Sequence, residues 1–172
     1  MKIDATLMAA DLETIGPRAS RIEAIGYDGL YTAETQHDPF FPLILAAEHT
    51  ERLDLGTAIA VAFPRSPMHL AHIGHDLQRF SKGRFILGLG SQIKAHIEKR
   101  FGAQFASPAA RMRELILATR AIWRTWEEDE PLRFEGEFYR HTLMTPFFNP
   151  GPNPHGLPTI QLAAVGDRKS VV

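Results

Sequence analysis

Short apolar runs alternate with longer amphipathic segments along the chain, and that alternation predicts strands and helices in turn. Ile3, Ala5 and Leu7 occupy every second position, so Met1 to Leu7 reads as a first strand. Ile15, Ala19, Ile22 and Ile25 then recur at helical spacing. They predict a helix with Thr14 as its cap, Pro17 in its first turn and Gly26 just past its end. A second strand, Asp28 to Ala33, runs into the polar cluster Glu34, Thr35, Gln36, His37 and Asp38. Pro39 then opens a second helix through Leu43, Ala46 and Ala47. Leu53 to Val61 is the third apolar run, and Leu70, Ile73, Leu77 and Phe80 mark one face of a helix from Pro67 to Phe80.

Phe85 to Gly90 is short and uninterruptedly apolar, the pattern of a strand covered on both faces, as in a parallel sheet wrapped by helices. A weaker helix follows at Ile93 to Arg100. Ser107 is placed to cap, and Pro108 to open, a strong helix whose face is Met112, Leu115, Ile116, Thr119, Ile122, Trp123 and Trp126. The acidic run Glu127 to Glu130 and Pro131 end it. Leu132 to Tyr139 reads as a hairpin around Glu135-Gly136, Asn149 to Pro158 as a loop, and Thr159 to Gly166 as a fifth buried strand. The order β-α-β-α-β-α-β-α-β with right-handed crossovers builds a parallel α/β sheet. Ligands of such sheets bind at the carboxyl ends of the strands. Polar residues collect at those ends: Glu34 to Asp38 after the second strand, and Ser91, Gln92 and His96 after the fourth.

Composition narrows the chemistry. With 172 residues, 44% of them hydrophobic, the chain is long enough for one folded domain with a core of its own. Nineteen Lys and Arg against 20 Asp and Glu leave a net charge of −1, which gives no broad attraction to nucleic acid or anionic lipid. The absence of cysteine excludes disulfides, a thiolate nucleophile and Cys-ligated metal centres, so redox chemistry would need a bound cofactor. No apolar leader and no run of about 18 apolar residues is present, and the expected location is the cytoplasm. Gly88-Leu89-Gly90 lacks the third glycine of a dinucleotide fingerprint, since Ile93 stands there. Neither a P-loop nor a G-x-S-x-G elbow occurs. His69, His72, His75 and Asp76 invite a metal reading, but without H-E-x-x-H they read as a polar outer helix face. His37 is suited to proton exchange near neutral pH, with Asp38 or Glu34 to orient it.

Three segments in order, Gly26-Tyr27-Asp28-Gly29-Leu30-Tyr31-Thr32-Ala33-Glu34, Leu55-Gly56-Thr57-Ala58-Ile59-Ala60 leading to Arg65-Ser66-Pro67, and Ser81 to Ser91, resemble the luciferase-like monooxygenases. Within that family they are most similar to the oxidoreductases that use the deazaflavin coenzyme F-420. The resemblance implies a (β/α)8 TIM barrel, which takes about 250 residues, so this chain corresponds to a partial barrel of four β/α units plus strand five. Residues 1–166 are expected to form that half barrel, and residues 167–172, which leave the family's pattern, a non-native tail on a truncated chain.

The implied reaction is hydride transfer between coenzyme F-420 and a small organic substrate. FMN-dependent monooxygenation is one alternative, and a cofactor-free half-barrel module without catalysis another. His37, Asp38 and Glu34 are the implied catalytic group. Gln36, Ala58, Ile59, Gly90, Ser91, Gln92, His96, Ala164 and Val165 are the implied coenzyme contacts, with a non-proline cis peptide at Ala58-Ile59. The family often carries a His directly after the acidic residue of strand two, where this chain has Thr35 and Gln36. Ile93 replaces a carboxylate found in some relatives, which disfavours a sugar-phosphate dehydrogenase. Open edges at the first and fifth strands imply a homodimer.

Overall fold

The computed structural model describes residues 1–8 and 11–164. Five parallel strand positions alternate with helices: β1 (Asp4–Leu7), α1 (Leu12–Ile25), β2 (Gly29–Thr32), α2 (Phe41–Glu48), β3 (Asp54–Thr57) with β4 (Ala60–Val61), α3 (Pro67–Phe80), β5 (Phe85–Gly90), α4 (Lys94–Lys99) and α5 (Pro108–Glu128). A small antiparallel pair, β6 (Phe134–Glu135) and β7 (Arg140–His141), precedes the last strand, β8 (Thr159–Leu162). β1 pairs with β2, β2 with β3, β3 and β4 both with β5, and β5 with β8, all parallel. The expected third strand is therefore one strand in two pieces. Its interruption is Ala58-Ile59, whose peptide bond is cis, as the family resemblance implied.

Register decides which face of the sheet is packed. Ala5, Leu30, Leu55 and Phe85 stand side by side across four strands, and Ile160 stands beside Leu87. This row faces the helices and, with Ile15, Leu43, Leu70, Leu115 and Trp123, makes the hydrophobic core. α5 packs on α3 through Trp123, whose Nε1–H donates to the Ala71 carbonyl at 3.0 Å. Gly74 makes the approach possible, because a Cβ there would sit 2.7 Å from the Trp123 ring. The opposite face carries the alternate residues, among them the exposed Asp4, Thr6, Thr159 and Gln161. Across it lies the Tyr31 ring, filling the space over Gly56, where a Cβ would come within 2.5 Å of the ring.

The amino ends of the strands are tied by two polar hubs. Arg84 donates to the Leu53 and Thr50 carbonyls at 2.9 and 2.8 Å and to Ser81 O at 2.8 Å. Glu23 accepts the N–H groups of Glu51, Arg52 and Leu53.

Several boundaries differ from the sequence expectation, each for a local reason. The first ladder begins at Asp4, because the Ile3 N–H bonds the Asp28 carboxylate instead of a neighbouring strand. The first helix opens at Leu12 behind Asp11. Thr14 lies inside it and turns its hydroxyl back to Asp11 O at 2.8 Å. α2 begins at Phe41 instead of Pro39, since Asp38 Oδ1 takes the Phe40 N–H at 2.8 Å and holds a turn there. Ser107 stands at the cap position of α5 with φ 42° and makes no capping bond. His75 is not on an outer polar face: it is buried against α5 at 3% exposure, edge-on to Trp126, while His72 stacks on the same indole. The fifth strand ends at Leu162, and its expected end, with Val165 and the tail 167–172, lies outside the described residues.

Candidate active site

Parallel pairing brings the carboxyl ends of β2, β4, β5 and β8 to one rim. The segment after β2 folds over the broken third strand and bonds both sides of the break. The Ala58 N–H donates to Thr32 O at 2.7 Å, and the Glu34 N–H donates to Ile59 O at 3.1 Å. Beyond the break, the Val61 N–H donates to Glu34 Oε2 at 2.7 Å. Residues 58 to 61 thus form a ledge clamped by the β2 loop.

Arg65, in the turn before α3, completes the clamp. Its Nη1 donates to Glu34 Oε2 at 2.6 Å and to Val61 O at 2.8 Å, its Nη2 donates to Asp38 Oδ2 at 2.8 Å, and its guanidinium lies 5.3 Å from the centre of the Phe40 ring. The Glu34 side chain is only 6% exposed and that of Arg65 16%, so the pair is shielded from solvent, where charge-assisted bonds are strong. Burial works against the Arg65 charge, but Glu34 and Asp38 outweigh it and raise its pKa. Arg65 appears in the sequence only as part of a family-like segment. Its partners are 31 and 27 residues away, and no local spacing announces them.

Behind the ledge, β5 runs close. Thr57 Oγ1 donates to Gly88 O at 2.6 Å and accepts the Gly88 N–H at 3.0 Å; a Cβ on Gly88 would fall 1.7 Å from the Thr57 carbonyl oxygen. Gly90 gives room to Ile59, whose side chain would lie 2.8 Å from a Cβ there. The Ala62 N–H donates to Gly90 O at 3.0 Å, and from β8 the Ala163 N–H donates to Leu89 O at 2.9 Å.

The residues expected at the site distribute as follows. Glu34, Asp38, Ile59 and Gly90 belong to the clamp and its backing. Ala58 is exposed on the ledge, and Ser91 and Gln92 are half-buried just after β5, with Gln92 at φ 56°. Gln36 and His37 are exposed on the β2 loop, Ala164 is exposed beyond β8, and Val165 lies outside the described residues. His96 is exposed on α4, and among the described residues its ring has no hydrogen-bond partner. Arg100, one turn further on, donates to the Thr35 carbonyl and so links the β5 loop to the β2 loop across the rim. Among the described residues no carboxylate forms an ion pair with His37, since both candidate partners are held by Arg65. No group of three or more His, Asp and Glu among them is placed to hold a metal.

A flat ring system needs a floor free of protruding side chains and polar groups at its margin. Ala58 and Ile59 give such a floor, because a Cβ on Gly90 would strike the Ile59 side chain and one on Gly88 the Thr57 carbonyl that leads into the ledge. Ser91 and Gln92 stand at its edge. The residues present fit a planar coenzyme.

Comparison with known proteins bears on the same residues. The chain is 54% identical over 167 residues to an uncharacterized protein of Mycobacterium tuberculosis, an alignment covering 97% of this chain and 49% of that protein. It is 32% identical over 153 residues to the F-420-dependent glucose-6-phosphate dehydrogenase of Intrasporangium calvum, covering 76% of this chain and 44% of the relative. In fold it matches the oxygenating constituent of 3,6-diketocamphane monooxygenase of Pseudomonas putida, solved in complex with FMN. That match has a TM-score of 0.75 and 17% identity, and covers 94% of this chain and 51% of the other. The chain spans about half the length of the relatives it matches, which makes its parallel sheet part of a barrel. Residues 2–171 match the family described as Luciferase-like monooxygenase, and the chain belongs to that family.

Proposed function

We propose that this chain is the amino-terminal half of an oxidoreductase that moves a hydride between coenzyme F-420 and an organic substrate. The observation that carries the reading is the Ala58-Ile59 ledge, clamped from one side by Glu34 and Arg65 and backed from the other by Gly88 and Gly90. Identity to an F-420-dependent dehydrogenase supports it. The coenzyme, when bound, supplies the hydride acceptor or donor; the protein supplies shape, orientation and proton management.

In this reading Ile59, Gly90, Ser91 and Gln92 hold the ring system, with Gln36, Ala164 and Val165 at the margin and His96 on the neighbouring helix. Glu34 and Asp38 are committed to Arg65 and keep the β2 loop on the ledge. Proton exchange at the substrate oxygen then falls to His37, which is exposed on that loop and has no ion-pair partner among the described residues. As hydride leaves the substrate carbon, the proton of its hydroxyl passes to the imidazole, and the reverse step returns both.

FMN-dependent monooxygenation is the second reading, supported by the fold match to an FMN-bound monooxygenase. The exposed polar face of the sheet, and edges at β1 and β8 that pair with nothing else among the described residues, support association of two copies. Fluorescence anisotropy of coenzyme F-420 and of FMN, each titrated with the chain and with Gly90→Val, tests the coenzyme site. A saturable rise with F-420 that the variant abolishes is expected. A preference for FMN selects the second reading, and no rise with either coenzyme rejects both. Sedimentation of the same samples reads the state of association.

A further inference from the structure

Beside the ledge, a cavity of about 620 Å³ opens between the start of α1, the β2 loop and the start of α2. Ala33, Thr35 and His37 line it, whereas Glu34 between them turns away to Val61 and Arg65. The cavity therefore shares with the site His37, the proposed proton-exchanging residue, and Asp38, one carboxylate of the clamp, but not Glu34 or the ledge itself.

Its body is apolar. Leu7 and Ile15 form the depth, both buried, and Leu12 and Phe41 form the rim at 48% and 60% exposure. Two large apolar side chains held open to solvent around a concavity mark a surface made to be covered by a ligand. Among the described residues its charged lining is of one sign: Asp11, Glu13 and Asp38, with no Lys or Arg. Asp38 is answered by Arg65, while Asp11 and Glu13 have no ion pair among the described residues. The amino terminus of α1, which would otherwise attract an anion, is already flanked by these two carboxylates.

From this lining we infer that the cavity takes an uncharged organic substrate with an apolar body, its oxygen toward His37, and rejects phosphorylated or carboxylated molecules. The inference rests on the oxidoreductase reading of the site and adds the substrate class. It separates this chain by charge from its relative named as an F-420-dependent glucose-6-phosphate dehydrogenase: a dianion placed beside Asp11 and Glu13 meets like charge, and Arg65, behind Asp38, is already held by two carboxylates.

Two probes of matched length, decan-2-one and decanoate, isolate the charge. Amide signals of the chain are followed by NMR during titration with each. Decan-2-one is expected to shift the signals of Leu12, His37 and Phe41 saturably, and decanoate to bind at least about tenfold more weakly. The double change Leu12→Ser and Phe41→Ala, at positions 48% and 60% exposed, should weaken decan-2-one by a similar factor with the circular dichroism of the chain unchanged. Asp11→Asn with Glu13→Gln should recover decanoate binding and leave decan-2-one unchanged. Decanoate binding as well as the ketone in the unaltered chain overturns the inference, and so does decan-2-one binding undiminished in the double variant. Coenzyme binding is measured on the same samples. Ketone binding without coenzyme binding keeps the cavity and removes the oxidoreductase reading; coenzyme binding without ketone binding does the opposite.

Discussion

Arg65 Nη1 stands 2.6 Å from Glu34 Oε2 while the same oxygen accepts the Val61 N–H at 2.7 Å, so one buried carboxylate ties a guanidinium and a strand to the β2 loop. Removing the cation would leave that carboxylate shielded from water without its partner. Arg65→Met is expected to lower stability to urea by about 3 kcal/mol or more, and Arg65→Lys by less, because an ammonium cannot fork to both carboxylates. Urea midpoints of the three proteins measure this; equal midpoints for Met and unaltered chain would show that the pair contributes nothing.

The second prediction concerns the backing of the ledge. A Cβ on Gly88 would stand 1.7 Å from the Thr57 carbonyl oxygen, a backbone atom that no rotamer change can move aside. Gly88→Ala must push β5 from β3 and break the two bonds that Thr57 Oγ1 makes to residue 88. A loss of at least about 2 kcal/mol is expected by chemical denaturation.

Gly90→Val acts differently. Its new side chain meets Ile59, a side chain and not backbone, so the fold should survive while the ledge moves. The expected result is near-normal circular dichroism with coenzyme affinity reduced about tenfold or more. Unchanged affinity would show that the ledge is not the floor of the site.

A pH effect follows from Glu23. Burial opposes its ionisation, yet the N–H groups of Arg52, Glu51 and Leu53 prevail and hold its carboxyl below the ordinary value. A folded-state pKa lowered in this way adds stability above the unfolded-state value, and that stability is lost as pH falls through the folded one. Glu23→Gln should therefore be less stable than the unaltered chain at neutral pH, and the gap should close in acid. Urea midpoints across that range would show it; a constant gap would assign the effect to something other than charge.

Much of the architecture was legible because period and punctuation act locally. α3 and β5 fall on the residues their patterns predict, since Pro67 opens a helix with a steady apolar face and Phe85 to Gly90 has no polar residue to face water. Boundaries moved where a side chain took a backbone group, as Asp28 does at Ile3 from 25 residues away and Asp38 at Phe40 from two. His75 looks like part of a polar outer face in the sequence because the α3 face it occupies becomes interior only when α5 arrives with Trp126.

The succession of strands and helices, the rim to which polar residues are delivered and the segments that resemble the family can all be read along the chain. How those rim residues divide their work emerges only once the chain has folded. Arg65 reaches Glu34 across 31 positions and Asp38 across 27, so these carboxylates are committed to holding a ledge, and among the described residues His37 has no acidic partner. Ion pairs and cavities of this kind arise from the meeting of distant segments, and no pattern confined to one stretch of chain encodes them.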